Sequence, residues 1–221
     1  MTEIFSSGPR PLPDAEAAYL RWIAHLDAEF TRHQNIDRRS EIVRDQLHQL
    51  YLGRPHGGKL NFTLDTELPF NVLELTLDPR NVTLEAEHSA ESGTPEFALR
   101  KPLVWFWRMF DRSPVALNHW LGFRFRAMLG HHIFRHIGQH VALFPGIEFL
   151  FGHNLTIEDN CVVHGHVRLE DRGEIILRRG AVIADHASIG IMVDNEGHRS
   201  TEIGPNAYVP YRAVVLAGEH R

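Results

Sequence analysis

From Ile137 to the carboxyl end an aliphatic or aromatic residue returns every six positions, and this period organises the chain. The units read IGQHVA and LFPGIE, then, after a short slip, FGHNLT, IEDNCV, VHGHVR and LEDRGE. A two-residue insertion precedes LRRGAV, IADHAS and IGIMVD, and IGPNAY, VPYRAV and VLAGEH close the series. The frame positions are Phe151, Ile157, Val163, Leu169, Leu177, Ile183, Ile189, Ile203, Val209 and Val215, and four units carry Cys161, Ala181, Ala187 or Ala207 four places on. A period of six suits neither an α-helix, near 3.6, nor a flat strand, at 2. It suits a short strand plus a turn that sends the next strand to the next face of a three-sided prism. One aliphatic side chain per face then points to the axis and stacks on its counterpart one coil above, and each coil buries its core only against its neighbours. Gly152, Asn154, Asn160, Gly180, Gly204 and Asn206 suit the turns. The pattern predicts a mainly β chain whose residues 131–221 form a parallel β-helix.

Ahead of the repeat the periodicity is helical. Asp14 is the expected cap of a helix over about 15–32, with Tyr19, Trp22, Ile23, Leu26 and Phe30 on one stripe. A second helix puts Ile42, Val43, Leu47, Leu50 and Tyr51 on one side and closes at Gly53. From Leu60 the period changes to two: Leu73, Leu75 and Leu77 alternate with Glu74 and Thr76, and beyond DPRN so do Val82, Leu84 and Ala86, which predicts a hairpin. Residues 1–99 are thus expected to form an appended α/β region. Residues 100–130 form an aromatic-basic helical linker whose rings pack over the neighbouring domain while its arginines stay solvated; a rival reading lays it on an anionic membrane.

The rhythm fails in SIGIMVDNEGHRSTEIG. Ile189 and Ile203 are fourteen positions apart, two units plus two residues, so VDNEGHRST is expected to leave the prism as a loop carrying His198. An imidazole there has a use. A hydroxyl attacks a thioester poorly until a base of near-neutral pKa removes its proton in the transition state. Asp194, Asn195 or Glu196 lie close enough in sequence to orient the ring, and backbone amides of GHRST are placed to stabilise an oxyanion. His186 is a lesser candidate, and His153, His164 and His166 are read as exposed corner residues among the 16 histidines.

Composition narrows the class. With 221 residues, 43% of them apolar, the chain buries one ordinary core or one compact domain with a smaller appendage. A net charge of -5 and a pI near 6.3 give no bulk support for binding nucleic acid. The single cysteine, Cys161, forms no intramolecular disulfide and falls where the repeat wants a small inward residue. Met1 leads into TEIFSSGPRPLPD with no basic-then-apolar leader, and no apolar run has membrane-spanning length, so the expected location is the cytoplasm.

The run RAMLGHHIFRHIGQHVALFPGIEFLFGHNLTIEDNCVVHGHVRLEDRGEIILRRGAVIADHASIG resembles the hexapeptide-repeat acyltransferases. Its short helix, opening coil, PGI corner, NLTI rung and GEI insertion are most similar in cadence to sugar and exopolysaccharide O-acetyltransferases of the colanic acid and maltose type. The resemblance implies a left-handed β-helix, a homotrimer with the acyl donor in the groove between adjacent prisms, acetyl-CoA as co-substrate, no metal, and a sugar or other small acceptor. It implies His198 as general base and direct transfer without an acyl-enzyme. By position in the repeat, Ala207, Tyr208, Tyr211, Arg212, Ala213 and Ala217 line the donor, with Arg212 near a phosphate. The family often carries its histidine directly after the rung, where Val193 and Asp194 stand here, and usually runs at least one coil beyond a point such as Arg221.

Three other readings share these residues. A γ-class carbonic anhydrase would hold zinc through His164, His166 and His186, although the spacing of that family's histidines is absent. The serine acetyltransferases join a helical region to the same repeat, and NEGHRST is a loose echo of their GDRHP loop; the hairpin expected here has no place in their pattern. A shortened, non-catalytic trimeric scaffold is the third.

Overall fold

The computed structural model describes residues 9–57, 68–89, 93–192 and 200–218, and among residues 68–71 the backbone alone. Helix α1 (Pro13–Arg32) begins one residue before the expected cap: Pro13, whose ring presets a helical φ, opens it, and Asp14 lies inside the first turn. Leu26 and Phe30 are fully buried and the Trp22 ring stacks on Phe125 at 5.1 Å. Helix α2 (Ile36–Leu52) is capped by the Asn35 side chain, which accepts from the Arg38 N–H, and ends at Gly53 in the left-handed conformation, φ 64°.

The expected hairpin is absent. Leu68–Thr76 is a helix, α3, and Pro79–Asn81 and Glu85–His88 are single 3₁₀ turns. The residues of this run that face inward are Glu74 and Leu77, a helical spacing, while Val72, Leu73 and Leu75 are exposed. Glu74 is buried in an ion pair with Arg54. The backbone polar groups are satisfied locally: Asp78 accepts from the Arg80 N–H, Glu87 from the Leu84 N–H, and the Thr76 carbonyl from the Trp105 indole. A two-stranded ladder without a third partner is marginal in water and leaves edge groups unpaired, whereas a helix pairs its backbone groups within itself and α3 is held by the burial of Glu74 and Leu77. The described part of the amino-terminal region is therefore helical rather than α/β, and helical residues outnumber strand residues among those described.

The aromatic-basic stretch forms α4 (Pro95–Asp111) and α5 (His119–Ile133), capped by Thr94 and Asn118. Phe110 and Phe125 stack at 3.8 Å between them. Trp107 closes the lower end of the repeat, its ring against Phe134 and Phe149 and its indole N–H donating to the Ile147 carbonyl at 3.2 Å. Not all of its arginines are solvated. Arg126 is 1% exposed and paired with Asp111 at 2.7 Å; it also donates to the carbonyls of Leu143 and Ala116, while Asp111 accepts from the Gly146 N–H. Burial pushes the Asp111 carboxyl up, a net rise that the Arg126 charge opposes in part. This pair ties α4, α5 and the first coil together. Replacing Arg126 with Met is expected to destabilise the fold by about 3 kcal/mol, because it strands a buried carboxylate. Replacing Asp111 with Leu as well should recover part of that loss in urea titrations.

Among the described residues twelve short strands follow, in three parallel sheets. The first holds β1 (His136–Ile137), β4 (Leu155–Ile157), β7 (Ile175–Leu177) and β10 (Thr201–Ile203). The second holds β2 (Ala142–Leu143), β5 (Val162–Val163), β8 (Val182–Ile183) and β11 (Tyr208–Val209). The third holds β3 (Glu148–Phe149), β6 (Arg168–Leu169), β9 (Ser188–Ile191) and β12 (Val214–Leu216). Cα register stacks the frame residues in three columns: Ile137, Ile157, Leu177, Ile203; Leu143, Val163, Ile183, Val209; and Phe149, Leu169, Ile189, Val215. All of them are buried except Val215, which packs against the same core from the last rung. The frame residue of the third strand is thus Phe149; Phe151 is buried at the corner beyond it, edge-on to Phe97. Between the first two sheets, and between the second and third, the chain always advances six residues. From the third back to the first it advances eight at Phe149–Ile157, eight at Leu169–Leu177 and fourteen at Ile189–Ile203. Three successive coils therefore take their extra residues at one corner, and the step whose sequence contains His198 is the longest.

Candidate functional site

The outer face of the third sheet is the surface this corner borders. Its outward residues run up the prism as Glu148, Arg168, Ser188 and Val214, one per rung about 4.8 Å apart. One edge is the corner leading out of the second sheet, where Gly146, His166, His186 and Arg212 all have positive φ, between 57° and 79°. Histidine is among the residues that tolerate this conformation. The rings of His166 and His186 stack at 5.0 Å with 11° between their planes, Tyr211 meets His186 edge-on at 5.7 Å, and the Arg212 guanidinium lies 5.0 Å from the Tyr211 ring. Gly146 makes room at the foot of this column: a Cβ there would lie 2.6 Å from His166 Nδ1.

The other edge is the insertion corner. In the first coil the backbone N–H groups of Leu150, Phe151 and Gly152 donate to the Asp171 carboxylate at 2.7, 3.1 and 2.6 Å, and the Asn154 side chain donates to the Asp171 carbonyl. Asp171 is fully buried; burial pushes its carboxyl up to about 6 against the opposing pull of those N–H groups. In the third coil Gly190, φ 77°, lies tight against the coil below, where a Cβ would meet Ile175 Cδ1 at 2.9 Å and the Glu170 carbonyl at 3.0 Å. Residues 193–199 of this corner lie outside the described residues. Thr201, in register with Ile175 and through it with Leu155, is 3% exposed and its hydroxyl has no hydrogen-bond partner among the described residues, which places an unsatisfied polar group at the root of the loop.

His198, Asp194 and Asn195 lie outside the described residues. Of the donor-side residues, Tyr211, Arg212 and Ala213 share the histidine-lined edge of the third sheet, and Ala217 follows β12, its N–H donating to the Ile191 carbonyl at the stem of the loop. Tyr208 stands 65% exposed on the outer face of the second sheet, and Ala207 packs against the core, so neither faces the third sheet with the others. His166 is exposed, as expected, and so is His186, the lesser candidate, whereas His164 is half-buried, stacked on Phe144 at 4.8 Å, with its Nδ1 3.7 Å from the Asp185 carboxylate. His153 is half-buried too, and burial lowers its pKa. Cys161 is fully buried and its thiol is pushed up by burial. Among the described residues no group of three or more histidine, cysteine, aspartate or glutamate side chains is placed to hold a metal ion, and no helix is long and apolar enough to cross a membrane.

Sequence reasoning missed the lower end of this face. There α4 and the first two rungs enclose a cleft of about 410 Å³ lined by Arg108, Arg112, Glu85, Glu148, His166 and Arg168. The signal was present as two arginines one helical turn apart in an aromatic stretch, but the partners come from three separate stretches of chain.

No protein family profile and no curated protein matches the chain. Among solved structures it is similar to a serine acetyltransferase in complex with CoA, at 14% identity over 93% of this chain and 89% of that one, TM-score 0.32. It is also similar to Entamoeba histolytica serine acetyltransferase 1 in complex with L-cysteine, at 8% identity over 82% and 74%, TM-score 0.29. A truncated serine acetyltransferase apoenzyme gives 14% identity over 90% and 89%, TM-score 0.22. Scores this low decide neither fold nor function; the three columns of β1 to β12 define the fold as a parallel β-helix.

Proposed function

We propose that the chain is a coenzyme A-dependent O-acyltransferase that moves an acetyl or short acyl group directly to a hydroxyl of a sugar or other small acceptor. The observation that supports this reading is that three successive coils take their extra residues at one corner, the longest of these steps, from Ile189 to Ile203, being the one whose sequence contains His198. The His198 imidazole takes the acceptor's proton as its oxygen attacks the thioester carbonyl carbon. The tetrahedral oxyanion collapses, the carbon–sulfur bond breaks, and the imidazolium returns the proton to the departing thiolate. Asp194 or Asn195 orients the ring, and loop amides stabilise the oxyanion. Tyr211, Arg212, Ala213 and Ala217 border the donor on the last coil, while Ala207 and Tyr208 belong to the side that an adjacent prism of a left-handed homotrimer would cover.

The acceptor has a second reading. The expected hairpin was the feature that set this chain apart from the serine acetyltransferases, and residues 68–76 are helical instead. A helical region in front of the β-helix favours an amino-acid hydroxyl, that of L-serine, beside the sugar hydroxyls. Thiol release from acetyl-CoA in the presence of a panel of sugars and L-serine tests both. Release with one acceptor class is the expected result; no release with any acceptor, together with no binding of coenzyme A, favours the non-catalytic scaffold.

A further inference from the structure

We propose that the cleft between α4 and the first two rungs of the third sheet binds a phosphorylated polyhydroxy compound, its phosphate held by Arg108 and Arg112. The site stands apart from acyl transfer, since it requires only binding. Arg108 is half-buried, yet its one hydrogen bond goes to an uncharged group, the Phe149 carbonyl at 3.1 Å, and among the described residues it makes no ion pair. Burial lowers its pKa, with Glu85 and Glu148 opposing and Arg112 and Arg168 adding to the effect. Withdrawing a cation from water without a counter-ion is costly.

The nearby carboxylates do not fill that role. Asp111 is committed to Arg126 and the Gly146 N–H, and Glu85 sits on Arg168 at 2.9 Å. Glu170 also lies near Arg168, at 3.6 Å, and near Arg172. Glu148 is exposed and only 4.0 Å from Arg168 at its nearest. With the charge of Asp111, also in the wall, balanced by Arg126 behind it, the cleft sets Arg108, Arg112 and Arg168 against Glu85 and Glu148, an excess of one positive charge before His166 is considered.

Arginines in a last helical turn commonly serve the helix dipole, and Arg112 does donate to the Arg108 carbonyl at 3.0 Å. An exposed arginine does that equally well, so the dipole does not account for burying Arg108. Two guanidinium forks one turn apart suit the several oxygens of a phosphate. The remaining walls are mixed, with Glu85, Glu148 and His166 beside Trp107, Ile147 and Phe149, and about 410 Å³ is room for more than a bare ion. Glu148 accepts from hydroxyls and His166 is placed to pair with them, which favours a sugar phosphate over an apolar ester.

Calorimetric titration at low ionic strength with glucose 6-phosphate, inorganic phosphate, glucose and coenzyme A tests this. Glucose 6-phosphate is expected to bind more tightly than inorganic phosphate, glucose not measurably, and Arg108→Gln to weaken the sugar phosphate at least tenfold. Arg112→Gln, on an exposed turn, is expected to weaken it about threefold and carries the test should Arg108→Gln fail to fold. Equal affinity in wild type and variants, or no heat with either phosphate, overturns the proposal. So does binding of coenzyme A alone, which would assign the arginines to the acyl donor.

Discussion

His198→Ala is expected to lower kcat for acyl transfer by 10²–10⁴-fold, the usual contribution of a positioned general base. The change removes a proton acceptor at a position outside the frame columns of the repeat, so circular dichroism and thermal unfolding should match wild type. The KM for acetyl-CoA should move little, because the donor-side residues sit on the last coil. Wild-type kcat/KM should fall at acid pH as the imidazole is protonated, and the variant's residual rate should lose that limb. His186→Ala is the control. That ring is exposed and held by stacking between His166 and Tyr211 on the opposite edge of the third sheet, so its loss should leave the acid limb in place. Unchanged turnover in His198→Ala, or loss of the limb in the control, would remove His198 from the reaction.

The β-helix was legible because a period of six has one good structural solution. Every inward aliphatic residue from Ile157 to Val215 fell in the column its spacing implied. The one frame error, Phe151 for Phe149, has a simple origin. Counting six back from Ile157 reaches the first, and counting six on from Leu143 reaches the second; both are buried aromatics, so hydrophobicity alone does not choose between them. The corner rule chooses, because each coil takes its extra residues after the third sheet. The hairpin failed for a different reason. Alternation of Leu73, Leu75 and Leu77 is a local signal, whereas Glu74 is the residue that turns inward, and only its pairing with Arg54 makes that tolerable. Arg126 and Asp111 repeat the lesson at greater separation: their burial depends on each other and on backbone groups of α5's approach and the first coil. The fourteen-residue step from Ile189 to Ile203 was visible as an interruption. The outer face of the third sheet was not, because Glu148, Arg168 and Ser188 become neighbours only when coils stack.

Asp171 is where the insertion corner is held, and Asp171→Ala is expected to cost about 4–5 kcal/mol. The substitution leaves three backbone N–H groups of Leu150, Phe151 and Gly152 without an acceptor in a dry corner, at about 1–3 kcal/mol each before relaxation and water entry. Its pH dependence runs opposite to that of an ion-paired carboxylate. The folded value of about 6 lies above the ordinary aspartate value of about 3.9, so between these the native chain binds the proton more tightly than the unfolded chain. The stabilisation is complete below about pH 4 and is lost as pH rises through about 6, a swing of about 3 kcal/mol. Asp171→Asn keeps the shape and one acceptor oxygen but cannot titrate. Urea unfolding of wild type and Asp171→Asn at several pH values between 4 and 7 should therefore show the wild type's advantage shrinking as pH rises. An advantage that grows with pH would mean that the three N–H groups outweigh burial and hold the carboxylate charged, making the corner an anion cradle whose strength increases toward neutrality.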